Sequence, residues 1–283
     1  MDFEQRLLER SELLTPTERR LAESLLAAPQ LVAFGTVAEF AAAARSGTAT
    51  VVRFATKLGY DGYSDLQASV QHDLTGRLRP AVERIRDEMP TDVDGLVDRH
   101  ADIESANVRA TLESLDRDVA RQIVARLADE AHDVLILSGV ASRGVAIQFL
   151  GDLSQLRSGC RMLDGTPVDI ARRLALTPDG ATVVALDPRR YERWVLDALT
   201  HAHRHGSWIV AITDSVLSPL TVAADTTLVV EAASTGPFDS HVGTLALLNL
   251  LVVDVSVARR EAATARLDRL ESNWREADAL TDD

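Results

Sequence analysis

Apolar residues recur at two different periods along this chain, and the change of period divides it. Up to about residue 79 the spacing is helical. Thr15-Pro16-Thr17-Glu18 reads as a helix start, with Thr as N-cap, Pro at the first helical position and Glu placed to close a capping box. Leu21, Leu25 and Leu26 follow at helical spacing, and Pro29 is expected to end that helix. Further helices are predicted over 36–43, 48–58 and 64–78, with Gly59 as the C-cap of the middle one. The stretch 80–130 is charged, interrupted by Pro80 and Pro90, and reads as a linker followed by connecting amphipathic helices. From residue 133, short β-branched runs at 134–137, 160–163, 182–186, 208–212 and 228–230 alternate with helical stretches at 142–157, 168–176 and 190–205. That alternation predicts a parallel sheet covered by helices. One long final helix is expected over 239–270. The predicted organisation is therefore a helical domain at 1–79, a connecting region at 80–130 and an α/β domain at 131–283.

Within the first domain, 36–58 has the form of a helix-turn-helix, whose second helix enters the major groove of DNA by its N-terminal end. Val37, Ala38, Phe40 and Ala41 make the apolar side of the first helix, Ala44-Arg45-Ser46-Gly47 the turn, and Val51, Phe54, Ala55 and Leu58 the buried stripe of the second. Thr48, Thr50, Arg53 and Lys57 lie off that stripe, where hydroxyls and cations suit phosphates and base edges. Periodicity alone is equally satisfied by a plain helical hairpin with a solvated charged face.

Charge has to be read by segment. The chain carries −13 overall, but residues 1–79 hold nine Lys+Arg against ten Asp+Glu, a net of −1. The acidity belongs to the remainder, so the first domain is compatible with a phosphate backbone. Hydrophobic residues make up 46% and aromatics only 4%, so the cores must be aliphatic. One cysteine, Cys160, excludes an internal disulfide and a multi-cysteine metal site. No apolar run reaches the roughly 18 residues a membrane span needs, and a charged N-terminus without a signal-peptide core points to the cytoplasm.

Thr15-Pro16-Thr17-Glu18-Arg19, Thr50-Val51-Val52-Arg53-Phe54 and Lys57 through Leu66 closely resemble the N-terminal domain of the RpiR (MurR/RpiR) family of transcriptional regulators. Gly47 stands where that family usually begins the second helix with Ser, and Ser46 could take over the cap. The family joins this domain to a SIS domain, a flavodoxin-like α/β module with a five-stranded parallel sheet that binds sugar phosphates. The resemblance implies a double-stranded DNA operator, contacted by Ser46, Thr48, Thr50, Arg53 and Lys57, and a homodimer or homotetramer. In a dimer, two recognition helices would lie about 34–36 Å apart.

The ligand site can also be placed from the residues. In an open parallel sheet, ligands bind beyond the carboxyl ends of the strands where the strand order reverses. The first strand runs into Ser138-Gly139-Val140-Ala141-Ser142-Arg143-Gly144, where small residues, free N–H groups and a helix N-terminus favour an anion. With strand order 2-1-3-4-5, this loop faces Asp187-Pro188-Arg189-Arg190-Tyr191-Glu192 after the third strand. Sugar-phosphate binders of the family usually carry a Ser/Thr-rich loop there. Here two guanidiniums replace it, read as a helix start whose opposition to the dipole a bound anion would relieve. The expected ligand contacts are Ser138, Ser142, Arg143, Arg189, Arg190, Tyr191 and His241, the last either a contact or a cap. Ser218 and Pro219 read as turn formers. His201 and His205 share a helix face, but without a second cluster of ligands they read as a helix end, so neither a metal nor a cofactor is expected. The competing reading is a sugar-phosphate aldose–ketose isomerase with Glu192 or His241 as its base, which leaves 1–79 without a purpose.

Overall fold

The computed structural model describes residues 3–27, 29–78, 81–87, 94–216 and 218–281, in two compact units, Met1–Glu83 and Arg84–Asp283. Pro80 and Pro90, read as the ends of the linker, lie outside the described residues.

The first unit is helical: α1 (Phe3–Arg10), α2 (Pro16–Ala27), α3 (Pro29–Phe34), α4 (Val37–Ala43), α5 (Thr48–Lys57) and α6 (Tyr63–Leu78), with α7 (Ala81–Asp87) running past the boundary between the units. The capping box at Thr15 forms, with Glu18 Oε2 accepting from the Thr15 backbone N–H at 2.8 Å and the Thr15 hydroxyl at 2.9 Å. A second box, not anticipated, closes α4 between Thr36 and Glu39. Pro29 does more than stop α2: its fixed φ also suits the first position of α3, which it opens. Leu21, Leu25, Val32, Phe40, Val51, Phe54, Leu58, Leu66 and Val70 are all fully buried, so every one of α2 to α6 gives at least one side chain to a single core. Gly59, at φ 88°, ends α5 in the left-handed conformation glycine adopts without a Cβ penalty.

The second unit holds five parallel strands, β1 (Val134–Ser138), β2 (Cys160–Met162), β3 (Thr182–Leu186), β4 (Trp208–Thr213) and β5 (Thr226–Val229), in the order β2-β1-β3-β4-β5. This is the flavodoxin-like order expected, with its switch point between β1 and β3. Between the strands run α10 (Arg143–Leu156), α11 (Pro167–Ala175) and α12 (Arg193–Arg204). Alternate residues of each strand enter opposite layers. Val134, Ile136, Val184, Leu186, Val210 and Ile212 pack with Phe149 and Leu153 of α10, and Leu135, Leu137, Val183, Ala185, Ile209 and Ala211 with Ile170 of α11 and Val195 and Leu199 of α12.

The connecting helices are α8 (Leu96–Glu113) and α9 (Arg117–Ala128), which pack against α13 (Val242–Ala258) and lie within the second unit. Ile123, Val124 and Leu127 of α9 enter the same core as β1. The single long final helix expected over 239–270 is instead two, α13 and α14 (Arg260–Glu276), bent by 104°. The break has a cause at Arg259. Its guanidinium donates to the Ala128 carbonyl at 2.6 Å and pairs with Glu130 at 2.7 Å, while α14 turns to lie along α10, where Arg266 donates to the Ser154 carbonyl. Among the described residues no single helix is long and apolar enough to cross a membrane.

Candidate functional site

The turn between α4 and α5 is held by backbone bonds from Arg45 N–H to the Ala42 carbonyl and from Ser46 N–H to the Ala41 carbonyl, at 3.1 and 2.8 Å. Arg45 pays for it with φ 49°, a left-handed conformation costing an L-residue roughly 1–2 kcal/mol. Gly47 is the N-cap of α5 and brings no side-chain bond; Ser46 does not take over, and its hydroxyl is buried without a partner. The reason is position: the cap bond needs a side chain on the residue next to the first helical turn, and that residue is Gly47.

Once Val51, Phe54, Ala55 and Leu58 are buried, α5 leaves Thr48, Ala49, Val52, Arg53 and Thr56 exposed on one face, with Thr50 half-buried beside it. Arg53 reaches only the Thr50 hydroxyl, at 3.3 Å. Ala49, Val52 and Thr56 were absent from the expected DNA contacts, although the period that selects Thr48 and Arg53 also selects them. Val52, 42% exposed, is an apolar group of the kind that reads a thymine methyl.

Lys57 departs from expectation. Its ammonium lies 2.7 Å from Glu18 Oε2, a carboxylate on α2. Burial works to raise the Glu18 carboxyl, but the Lys57 bond and the Thr15 donors outweigh it and hold it below the usual carboxylate range. Lys57 therefore ties α5 to α2. The carbonyls at the end of α5 are met by α1, Arg10 donating to Lys57 O at 2.7 Å and Arg6 to Gly59 O at 2.8 Å. Lys57→Met is expected to destabilise the first unit by about 1–2 kcal/mol, between the exposed and buried limits for ion pairs. Operator affinity measured below the melt should change less than threefold, and a larger loss at unchanged stability would return Lys57 to the DNA face.

In the second unit, β1 delivers Ser138 and the following loop to the switch point. Ser138 and Ser142 are buried, at 3% and 0% exposure, and neither hydroxyl has a hydrogen-bond partner. Ser142 is the N-cap of α10, yet its side chain makes no cap bond, so the first-turn N–H groups keep their outward potential. His241 is the N-cap of α13, with its ring beside Ala141 and its Nδ1 buried without a partner. Burial lowers the His241 pKa, against the nearby Asp239 charge, and so favours the neutral ring. Three of the expected ligand residues thus meet around one loop with unfilled hydrogen-bonding capacity.

Of the others, all but Arg190 are engaged elsewhere. Arg143 pairs with Asp164 at 2.8 Å. Arg189 and Arg190 do not begin a helix: α12 starts at Arg193 with Glu192 as its N-cap, and both arginines lie before it at φ 43° and 56°. The dipole argument for an anion beside them therefore lapses. The Arg189 guanidinium lies 3.1 Å from Asp239 and 3.8 Å from Asp214, and its backbone N–H and the Tyr191 hydroxyl both donate to Asp214 Oδ1 at 3.0 Å. Arg84 reaches the same Asp239 at 2.8 Å. Arg190 is exposed.

Carboxylates, not among the expected ligand contacts, dominate the third-strand side of the site. Asp187 Oδ2 accepts the Glu192 backbone N–H at 2.7 Å, and the Glu192 carboxylate accepts the Val140 N–H across the switch point. Burial pushes the Asp187 carboxyl up to about 7, helped by the charges of Glu192 and Asp214 and opposed by the Glu192 N–H. Gly139 makes this approach possible, since a Cβ there would lie 2.3 Å from Asp187 Oδ1 and 2.9 Å from Glu192 Oε1. The signal was present in the sequence as Asp187 and Glu192 flanking the arginines, but nothing local says that they turn toward Gly139. The His201 and His205 rings lie 4.5 Å apart, tilted by 53°, and no group of three or more potential metal ligands is assembled among the described residues.

A helix-turn-helix domain profile of the rpiR family matches residues 1–76, and the SIS domain profile matches 166–254, together more than half the chain. The chain belongs to the RpiR family. An uncharacterized HTH-type transcriptional regulator of Haemophilus influenzae is 26% identical over 219 residues, 76% of this chain and 75% of that one. The sugar isomerase domain of the RpiR transcription factor from Sphaerobacter thermophilus superposes with a TM-score of 0.56 at 27% identity, covering 66% of this chain and 99% of that one. The Vibrio vulnificus NanR protein complexed with ManNAc-6P superposes with a TM-score of 0.58 at 22% identity, over 98% of this chain and 99% of that one. This RpiR-family chain is thus a DNA-binding transcriptional regulator whose α/β unit has the SIS fold.

Proposed function

We propose that operator binding runs through the α5 face of Thr48, Ala49, Val52, Arg53 and Thr56, with Thr50 and Arg45 at its edge, and is modulated by a small anionic sugar derivative in the crevice at the end of β1. The ligand assignment is carried by one observation: the Ser138 and Ser142 hydroxyls and His241 Nδ1 are buried beside the N-terminus of α10 without partners. A buried polar group without a partner costs about 1–3 kcal/mol, a cost that a ligand rich in hydroxyls and carrying an anion would remove. NanR bound to ManNAc-6P lends the class its example.

In this reading the crevice binds without turnover. Glu192, one of the two groups considered as an isomerase base, is held by the Val140 N–H and the Trp194 indole. The regulator works in the cytoplasm as a homo-oligomer, which would set two α5 helices into successive major grooves.

The test is a thermal-shift screen of phosphorylated sugars and sugar acids on the full chain, with Ser142→Ala in parallel. A ligand at a hundred times its dissociation constant stabilises by about 2.7 kcal/mol, enough to raise the melting temperature by several degrees. Ser142→Ala should lose most of that shift, and an undiminished shift in the variant would put the ligand elsewhere.

A further inference from the structure

The Glu192 carboxylate occupies a position that the proposed function leaves unexplained. Oε1 accepts from the Val140 N–H, in the loop that leads β1 into α10, and Oε2 accepts from Trp194 Nε1 at 2.5 Å. Glu192 comes from the opposite wall of the crevice, as the N-cap of α12, yet its side chain does not cap that helix. It reaches across instead, and it does so beside a second acid. Asp187 Oδ1 lies against Gly139 on the same side, and its carboxyl is held up near 7 by burial and by the charges of Glu192 and Asp214. Three cations of the neighbourhood are committed to other carboxylates. Arg189 is engaged with Asp214 and Asp239, Arg84 with Asp239, and Arg143 with Asp164.

Like charges packed against one another are costly, and the Trp194 and Val140 donors alone do not call for an acid at this point. An amide at the mouth of a helix N-terminus is where an anion binds, and here the chain supplies that anion itself.

We propose that Glu192 is a built-in competitor for the ligand's anion, which must displace its carboxylate from Val140 N–H to bind. This rests on the crevice reading above. A tethered competitor acts at an effective concentration that short tethers bring into the millimolar range. It therefore multiplies the ligand's intrinsic affinity by the fraction of time the amide is open, which lowers it. It also selects by chemistry. A carboxylate ligand offers the amide nothing Glu192 does not already offer, whereas a phosphate dianion brings more charge and three acceptor oxygens. The site should therefore favour phosphate esters over sugar carboxylates. Displacement also removes the acceptor from the Trp194 indole, so binding carries an optical signature.

Inorganic phosphate is the probe, titrated by calorimetry into the full wild-type chain and the Glu192→Ala, Glu192→Gln and Glu192→Ala/Ser142→Ala variants, with Trp194 emission followed in wild type against Trp194→Phe. The expected result is phosphate affinity about tenfold higher in Glu192→Ala, a smaller gain in Glu192→Gln, loss of the gain when Ser142 is also removed, and a phosphate-dependent change in wild-type emission absent from Trp194→Phe. If Glu192→Ala does not fold, Glu192→Gln and the emission change carry the test. Ser142-dependent phosphate binding that is no tighter in either Glu192 variant overturns the competitor and leaves the crevice standing. Absence of phosphate binding in every protein overturns both.

Discussion

Arg157→Ala is expected to lower the melting temperature of the second unit by about 10 °C. Arg157 is 1% exposed and the largest fully buried side chain among the described residues. Its acceptors are carbonyl oxygens: Leu127 at 2.8 Å, Asp129 at 3.0 Å, His132 at 2.6 Å and Ser158 at 2.7 Å. Two of these belong to the C-terminus of α9, whose last carbonyls have no partner within the helix and carry the negative end of its dipole. One guanidinium thus satisfies the end of α9 and the turn into β1, the strand that leads into the loop of Ser138 and Ser142. Truncation leaves several carbonyls to whatever water can enter. Losing one side of a buried charged network costs about 3–5 kcal/mol, and about 2–4 °C of melting temperature accompanies each kcal/mol in a unit of this size. Lysine keeps the charge but not the fork of donors, so Arg157→Lys should recover less than half of the loss. A melt of the alanine variant within about 2 °C of wild type would show that the carbonyls do not depend on Arg157.

Arg53→Ala should weaken operator binding by about 10–100-fold with the fold intact. The side chain is exposed on α5 and makes one contact, at 3.3 Å to Thr50, so its removal should alter stability by less than about 0.5 kcal/mol. On DNA, a bidentate arginine contact to a base edge is worth about 1–3 kcal/mol. Mobility-shift titrations of wild type and variant on a selected operator, at several salt concentrations, separate two roles. A base contact relaxes preference at one operator position, and a phosphate contact lowers affinity uniformly and reduces the salt slope by about one. Equal affinity at matched salt would remove Arg53, and with it the α5 face, from the interface.

The residues of these two predictions differ in how visible they are beforehand. Arg53 is legible because the stripe Val51, Phe54, Ala55 and Leu58 is a local pattern, and whatever lies off it on a short helix faces solvent. The same logic placed β1, β3, β4 and, shifted by a residue or two, β5 as runs rich in branched residues, while β2 was placed as a short run between helical stretches. Arg157 gives no such signal. Its acceptors on α9 and before β1 lie 25 to 30 residues away, and only the folded chain brings their carbonyls to one point.

Every correction to the candidate site has that same origin. Lys57 looks like one more exposed cation until Glu18, 39 residues earlier, closes on it. Arg189 and Arg190 look like a bare helix start until Asp214 and Asp239 arrive from other loops and the backbone turns left-handed. The break at Arg259 falls in a stretch whose composition stays helical, and distant carbonyls decide it. Near-neighbour propensity and the period of burial act within a few residues, so the chain alone determined most of its helices, its five strands, its parallel sheet and the exposed face of α5. Which charges are already neutralised, and which hydroxyls are left wanting a partner, depends on groups that meet only across the sheet and between helices, so packing alone decided the chemistry of the crevice.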